Sequence, residues 1–206
     1  IAFAEQIGKF YLRNSVAVYR DIFIRELISN CCDAVAKRRM VGQIPDDYQP
    51  RVTVRVDKEH RILSFTDNGV GMTAEEVRKY INQVAFSGAN DFMEKYKDSG
   101  EQIIGHFGLG FYSAFMVADK VRIDTLSCLP DAKAVCWESD GSVEYTMEET
   151  EREEVGTTVT LYLNNESDEF LDGNTVKSTI RKYCSFMPTP IYCEVAEDEK
   201  KHEHDH

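Results

Sequence analysis

Apolar positions along this chain recur with two spacings, and the change from one to the other divides it into strands and helices. Arg51 to Asp57, RVTVRVD, alternates polar and apolar, the pattern of a half-buried strand. After a turn at Glu59-His60-Arg61, Ile62 to Thr66 gives a second strand with partial alternation. Alternation returns in Val121 to Leu126, Ala134 to Glu138, Val143 to Met147 and Thr157 to Leu163. Turns at Leu129-Pro130-Asp131, Ser139-Asp140-Gly141 and Glu151 to Gly156 separate these runs and predict an antiparallel meander. Pro188-Thr189-Pro190 precedes a last strand, Ile191 to Val195. Helical spacing begins after Tyr19-Arg20-Asp21 and runs to about Met40, with Leu27, Ile28, Ala34 and Val35 as its apolar stripe. Lys37, Arg38 and Arg39 close it with charge suited to a helix C-terminus. Thr73 and Glu76 form a capping-box pair that opens a helix to about Val84. Phe111 to Val117 is a short apolar helical run, and Asn174 to Tyr183 a final helix. Ile1 to Tyr19 reads as a short strand and a first helix, and Gly42 to Pro50 as a loop. Phe86 to Gly110 has no period, apart from a short helical piece around Asp91 to Tyr96. Helices on one face of a mostly antiparallel sheet make a two-layer α+β sandwich.

Composition narrows the function classes. The chain has 206 residues, 42% hydrophobic and 29% charged, enough for one domain with a sizeable core. A formal net charge of −12 argues against a nucleic-acid surface, which needs a basic excess over a broad face. A single nucleotide in a pocket needs only local donors, so the charge does not oppose it. No apolar stretch approaches a membrane span and no signal peptide is visible. The chain begins at Ile1 and is read as an excised domain. Cys31, Cys32, Cys128, Cys136, Cys184 and Cys193 show no CxxC or zinc spacing, which favours reduced thiols of a cytosolic protein. Cys31 and Cys32 adjoin Asn30, so a thiol-reactive compound is expected to have a route to any pocket there.

Three motifs carry chemistry. In FIRELISNCCDA, Glu26, Asn30 and Asp33 stand at i, i+4 and i+7, on one helical face beside the apolar stripe. A carboxylate can take a proton from water, and a carboxamide oxygen suits magnesium, whose natural companions are phosphates. DNGVGM, Asp67 to Met72, follows a strand; Gly69 and Gly71 let backbone approach a flat ligand, and Asp67 offers acceptors to an exocyclic amine. GHFGLGF, Gly105 to Phe111, precedes the apolar run and offers backbone N–H groups to an anion. Each motif alone also fits ordinary structure: an amphipathic helix, a strand-to-helix turn, a flexible loop.

In this order the motifs ExxxNxxDA, DxGxGM and GxxGxGF resemble the ATPase superfamily of gyrase, histidine kinases, MutL and the heat-shock protein 90 chaperones. FIRELISN, DNGVGMT, AFSGA, IGHFGLGFYSAFMVADKV and VGTTVTLYL are most similar to the N-terminal domain of heat-shock protein 90, in its bacterial form, high-temperature protein G. The resemblance runs from about Phe3 to about Val195. It implies the Bergerat-type fold, with a pocket between the helices floored by the sheet. It implies a nucleotide-binding domain over 1–195, a lid at about 86–110 that folds over ATP, and the start of a charged linker at 196–206. The middle and C-terminal domains of the family are absent from this chain.

By the same resemblance, Asp67 binds the adenine amino group, Thr157 lies on the strand beneath adenine, and Gly71 and Met72 form its wall. Asn30 coordinates magnesium, Glu26 orients and deprotonates the attacking water, and Asp33 and Lys37 support the rim. The backbone of Gly105, His106, Phe107, Gly108, Leu109, Gly110 and Phe111 holds the phosphates. Two positions depart from many relatives: Phe86 stands where they carry lysine, and His106 where they carry glutamine. The first removes a possible phosphate contact; the second substitutes a donor whose charge varies with pH. An asparagine that some relatives hold near the ribose has no secure match, Asn82 being the nearest. The implied activity is that of a cytoplasmic chaperone ATPase, slow as an isolated domain because the family's catalytic arginine comes from the middle domain. Client proteins, a homodimer in the full-length protein and the family's ATP-site inhibitors are the implied partners. A sensor histidine kinase domain is disfavoured because GHFGLGFYSAF runs on into an extended meander. A topoisomerase or mismatch-repair ATPase is disfavoured by the acidic balance and the motif wording.

Overall fold

In the computed structural model, which describes residues 20–42, 44–87, 109–142 and 144–196, the alternating runs pair into one seven-stranded sheet. The strands are β1 (Val52–Asp57), β2 (Ile62–Asp67), β3 (Ala118–Leu126), β4 (Val135–Ser139), β5 (Thr146–Glu149), β6 (Gly156–Leu163) and β7 (Ile191–Val195). Their spatial order is β5-β4-β3-β6-β2-β1-β7, and every pairing is antiparallel except β1 with β7. Three α-helices are described: α1 (Ile22–Val41), α2 (Ala74–Ser87) and α3 (Gly173–Cys184). Two 3-10 helices, Leu109–Met116 and Asp168–Leu171, complete the described elements.

Register explains the two layers. Phe65, Val159, Ile123 and Trp137 lie opposite one another across β2, β6, β3 and β4, so their side chains share a face. That face continues into Val54, Leu63, Leu161 and Val121, all fully buried. The other face carries Thr66, Thr158, Arg122, Asp124 and Glu138. Arg122 bonds Asp124 at 2.9 Å and Lys120 reaches Glu138 at 3.1 Å there. An apolar face needs one covering layer and a polar face needs none, so the helices collect on one side. Helix α1 covers the centre through Phe23, which meets Phe65 and Phe170 edge-on at 6.4 and 4.8 Å between ring centroids.

Local chemistry sets the boundaries. Helix α1 stops at Gly42, whose φ of +79° is left-handed, with its N–H returning to the Arg38 carbonyl. The capping box is reciprocal: the Glu76 N–H donates to Thr73 Oγ1 at 3.2 Å, and the Thr73 N–H to Glu76 Oε1 at 3.1 Å. Helix α2 runs past Val84 and takes in Phe86 and Ser87.

Three features differ from the sequence expectation. The run Phe111 to Val117 is not α-helical but belongs to the 3-10 helix Leu109–Met116, and the Val117 N–H returns three residues to Ala114. Strand β5 lies at Thr146–Glu149 rather than Val143–Met147, because Ser142 Oγ donates to the Glu144 carbonyl at 3.3 Å and holds it in the turn. The 3-10 helix Asp168–Leu171 has too short a pattern to be read in advance, yet it delivers buried Phe170 to the core.

Candidate functional site

A cavity of about 180 Å³ opens where the C-terminal ends of β2 and β3 and the start of β6 meet α1. Its floor is a cross-strand row. Asp67 stands opposite Thr157, and Thr157 opposite Thr125, so the three side chains leave the sheet on the helix side. Asp67 and Thr157 line the cavity; Thr125 lies just behind. Val159 and Ile123 continue the floor as an apolar patch, and Phe111 and Tyr80 close one side with rings 5.9 Å apart. Leu27, Asn30, Cys31, Asp33, Ala34 and Lys37 of α1 form the opposite wall. Two polar floor positions, Asp67 and Thr157, beside an apolar patch are the pattern of a site for a flat, largely apolar ligand with a few hydrogen-bonding groups.

The loop after β2 is clamped on three sides. The Val70 N–H donates to the Ala34 carbonyl at 2.9 Å, and the Cys128 N–H to the Val70 carbonyl at 2.9 Å. Asn68 accepts from the Arg51 N–H at 2.9 Å through Oδ1, while its carbonyl accepts from Arg38 at 2.9 Å and Tyr48 at 2.7 Å. Glycine is required twice. A Cβ on Gly69 would enter the backbone of α1 at Ala34 and Val35, and one on Gly71, whose φ is +65°, would strike the Leu126 carbonyl. Gly69 is thus needed for packing of protein on protein, not for approach to a ligand as its motif suggested. Gly71 and Met72 do line the cavity.

Asp67 is 5% exposed. Burial pushes its carboxyl up to about 6, against the pull of the Gly69 N–H, the Cys31 thiol and Arg152. The Gly69 N–H donates to Oδ1 at 2.8 Å. A buried carboxyl that lines a cavity is suited to accept from an N–H of a bound molecule.

The other expected site residues divide clearly. Asn30, Asp33 and Lys37 are exposed on the cavity rim. Glu26, one turn earlier on α1, is buried, is bonded to Arg25 Nη2 at 2.9 Å and does not line the cavity. Phe111 forms a wall. Leu109 and Gly110 begin the 3-10 helix, and Gly105, His106, Phe107 and Gly108 lie outside the described residues, as does most of the expected lid. Among the described residues no group of three or more His, Cys, Asp or Glu is placed to hold a metal ion, and no helix is long and apolar enough to cross a membrane.

The two adjacent cysteines part company. Cys31 lines the cavity at 4% exposure, and burial pushes its thiol well up, so the pocket thiol is a poor nucleophile. Cys32 faces the other way, with its sulfur 3.8 Å from that of Met187. Val70, Tyr80, Ile123 and Val159 were not foreseen as site residues. For Ile123 and Val159, strand alternation combined with the Asp67–Thr157 register is the signal that would have found them.

Comparison with known proteins fits this geometry. A family model described as histidine kinase-, DNA gyrase B-, and HSP90-like ATPase matches residues 21–167. Chaperone protein HtpG of Bacteroides fragilis is 49% identical over 173 residues, covering 83% of this chain and 25% of the relative. Chaperone protein HtpG of Porphyromonas gingivalis is 48% identical over 175 residues, covering 83% and 26%. That of Desulfitobacterium hafniense is 40% identical over 188 residues, covering 87% and 31%. The chain therefore spans about a quarter of the length of the curated relatives it matches. The matched region runs from the start of α1 to the turn after β6 and so takes in every wall of the cavity, and the chain belongs to the histidine kinase-, DNA gyrase B- and HSP90-like ATPase family.

Proposed function

We propose that this chain is the N-terminal ATP-binding and ATPase domain of a molecular chaperone of the heat-shock protein 90 type, working in the cytoplasm as part of a homodimer. The observation that carries the reading is buried Asp67 at the floor of a flat cavity, beside Thr157 and the Gly71–Met72 wall. Adenine enters edge-on: its exocyclic amine donates to the Asp67 carboxylate, and its faces lie against apolar side chains. The triphosphate leaves along the exposed rim of α1, past Asn30, Asp33 and Lys37, toward the glycine-rich backbone of 105–111.

Magnesium fits the donor set on the rim. Asn30 supplies one exposed oxygen with no carboxylate cage around it among the described residues, as suits an ion that keeps several waters and takes its other ligands from phosphates. When bound, it neutralises phosphate charge. Glu26 is the proposed base. It is buried one turn before Asn30 on α1 and pairs with Arg25, and the role assigned to it is to orient and deprotonate the attacking water. Hydrolysis by this chain alone is slow, because positive charge at the γ-phosphate is supplied from elsewhere in a longer protein. Nucleotide-dependent closure of segment 86–110 would then govern clamp closure on client proteins.

Thermal unfolding with and without ADP tests this reading. A ligand at a hundred times its Kd stabilises by about 2.7 kcal/mol, enough to raise the Tm by several degrees. ADP is expected to raise the Tm of the chain, while ATP turnover stays slow and is lost in Glu26→Ala. An unmoved Tm at millimolar ADP would remove the nucleotide site, and fast turnover unaffected by Glu26→Ala would remove Glu26 as base.

A further inference from the structure

Thr125 was singled out by no motif, and it does not line the cavity. It is 1% exposed, yet its hydroxyl has three partners. It accepts from the Met72 N–H at 2.9 Å, lies 3.2 Å from the Gly156 carbonyl and 2.8 Å from Thr157 Oγ1. A hydroxyl has one proton and two lone pairs, so these contacts constrain each other. Met72 takes a lone pair. Gly156 can only accept. The Thr125 proton therefore goes either to Gly156 or to Thr157. In the first state Thr157 donates back to Thr125 and turns a lone pair to the cavity. In the second Thr157 accepts from Thr125 and has its own proton free for a ligand acceptor. Both states keep the Thr125–Thr157 bond.

That bond fixes something the backbone leaves open. The hydroxyl and methyl branches of threonine differ little in size, so a β-branched strand residue can exchange them by rotating about χ1. In Thr157 the bond to Thr125 decides which branch occupies the floor beside Asp67. The same oxygen ties Met72, and with it the wall after Gly71, to that floor.

We propose that Thr125 is a positioning residue for base recognition, acting through Thr157: it holds the Thr157 hydroxyl at the cavity floor and lets that hydroxyl switch between donor and acceptor for a ring nitrogen next to the amine read by Asp67. The proposal rests on the nucleotide reading above. Its test is calorimetric titration of ADP into the unaltered chain, Thr125→Val, Thr125→Ser, Thr157→Val and the double variant. Failure of the unaltered chain to bind ADP would overturn the nucleotide reading itself and the proposal with it. Given binding, Thr125→Val, which keeps the shape and removes the hydroxyl, is expected to weaken ADP about tenfold. Thr125→Ser is expected to bind nearly as the unaltered chain. The double variant is expected to lose clearly less than the product of the two single losses, because what Thr125 contributes through its bond to Thr157 is already lost in Thr157→Val. Equal affinity of Thr125→Val and the unaltered chain would overturn the proposal, as would a double variant whose loss is the product of the two single losses. The cycle keeps the test decisive where valine lowers stability, since a merely structural loss at Thr125 would multiply with that of Thr157→Val rather than overlap it.

Discussion

Burial of a carboxylate costs stability, and Asp67 carries that cost at the floor of the cavity. Its folded-state carboxyl titrates at about 6, against 3.8 for the ordinary value. The folded protein therefore holds a proton that the unfolded chain has released between those two values. The titration of this group costs nothing below about pH 4, its penalty grows as pH rises to about 6, and above that it stays constant at roughly 3 kcal/mol. The amide oxygen that Asp67→Asn introduces would still accept from the Gly69 N–H. That variant is expected to be more stable than the unaltered chain at pH 8 by about 2–3 kcal/mol, with the two converging near pH 4. Urea unfolding at the two pH values measures this; equal stabilities at pH 8 would contradict it. Asp67 and Gly71 were legible in the sequence from the strand and glycine spacing of their motif, and Met72 and Thr157 only through the resemblance to the heat-shock protein 90 chaperones. Thr125 was not, since a lone threonine in an alternating strand is distinguished only by the register that sets it opposite Thr157.

At the scale of elements, the loop between β2 and α2 is held by close backbone approach, and its two glycines differ from the glycine that ends α1. Gly42 and Gly71 both have positive φ, near +79° and +65°. A methyl on Gly42 meets open space, whereas one on Gly71 collides with the Leu126 backbone. Gly42→Ala is thus expected to cost about 1 kcal/mol, the strain of the left-handed region alone. Gly71→Ala must also displace strand β3 from the loop, and is expected to cost at least about 3 kcal/mol and to abolish ADP binding. Chemical denaturation of both variants checks the difference; similar losses would mean that the loop yields easily. The elements themselves were legible wherever a period ran for six or more residues, as in β1, β6 and α1. The 3-10 geometry of Leu109–Met116 was not, because spacings of three and of three to four residues are indistinguishable in so short an apolar run. The displacement of β5 followed from side-chain bonds of Ser142 that alternation does not encode.

At the scale of the molecule, the sheet faces two ways. At its centre the covered side is apolar apart from the row Asp67, Thr157 and Thr125, and its other side is a lattice of threonines and ion pairs. That polar row beneath α1 is the feature on which the proposed reading of an adenine edge rests. The two-layer architecture was legible because alternation in the strands and stripes in the helices agree on which side is buried. The rim was less so: the offsets of Glu26, Asn30 and Asp33 placed all three on one face, but α1 sinks Glu26 against Arg25 and leaves Asn30 and Asp33 exposed. The central claim is that Asp67 accepts from a bound adenine, and calorimetric titration of ADP with magnesium at about pH 7.5 into the unaltered chain and into Asp67→Asn tests it most directly. The account predicts saturable one-to-one binding by the unaltered chain and a loss of at least about a hundredfold in Asp67→Asn, whose amide presents a donor to the amine and leaves it unpaired. Equal affinity for ADP in the two proteins would contradict it.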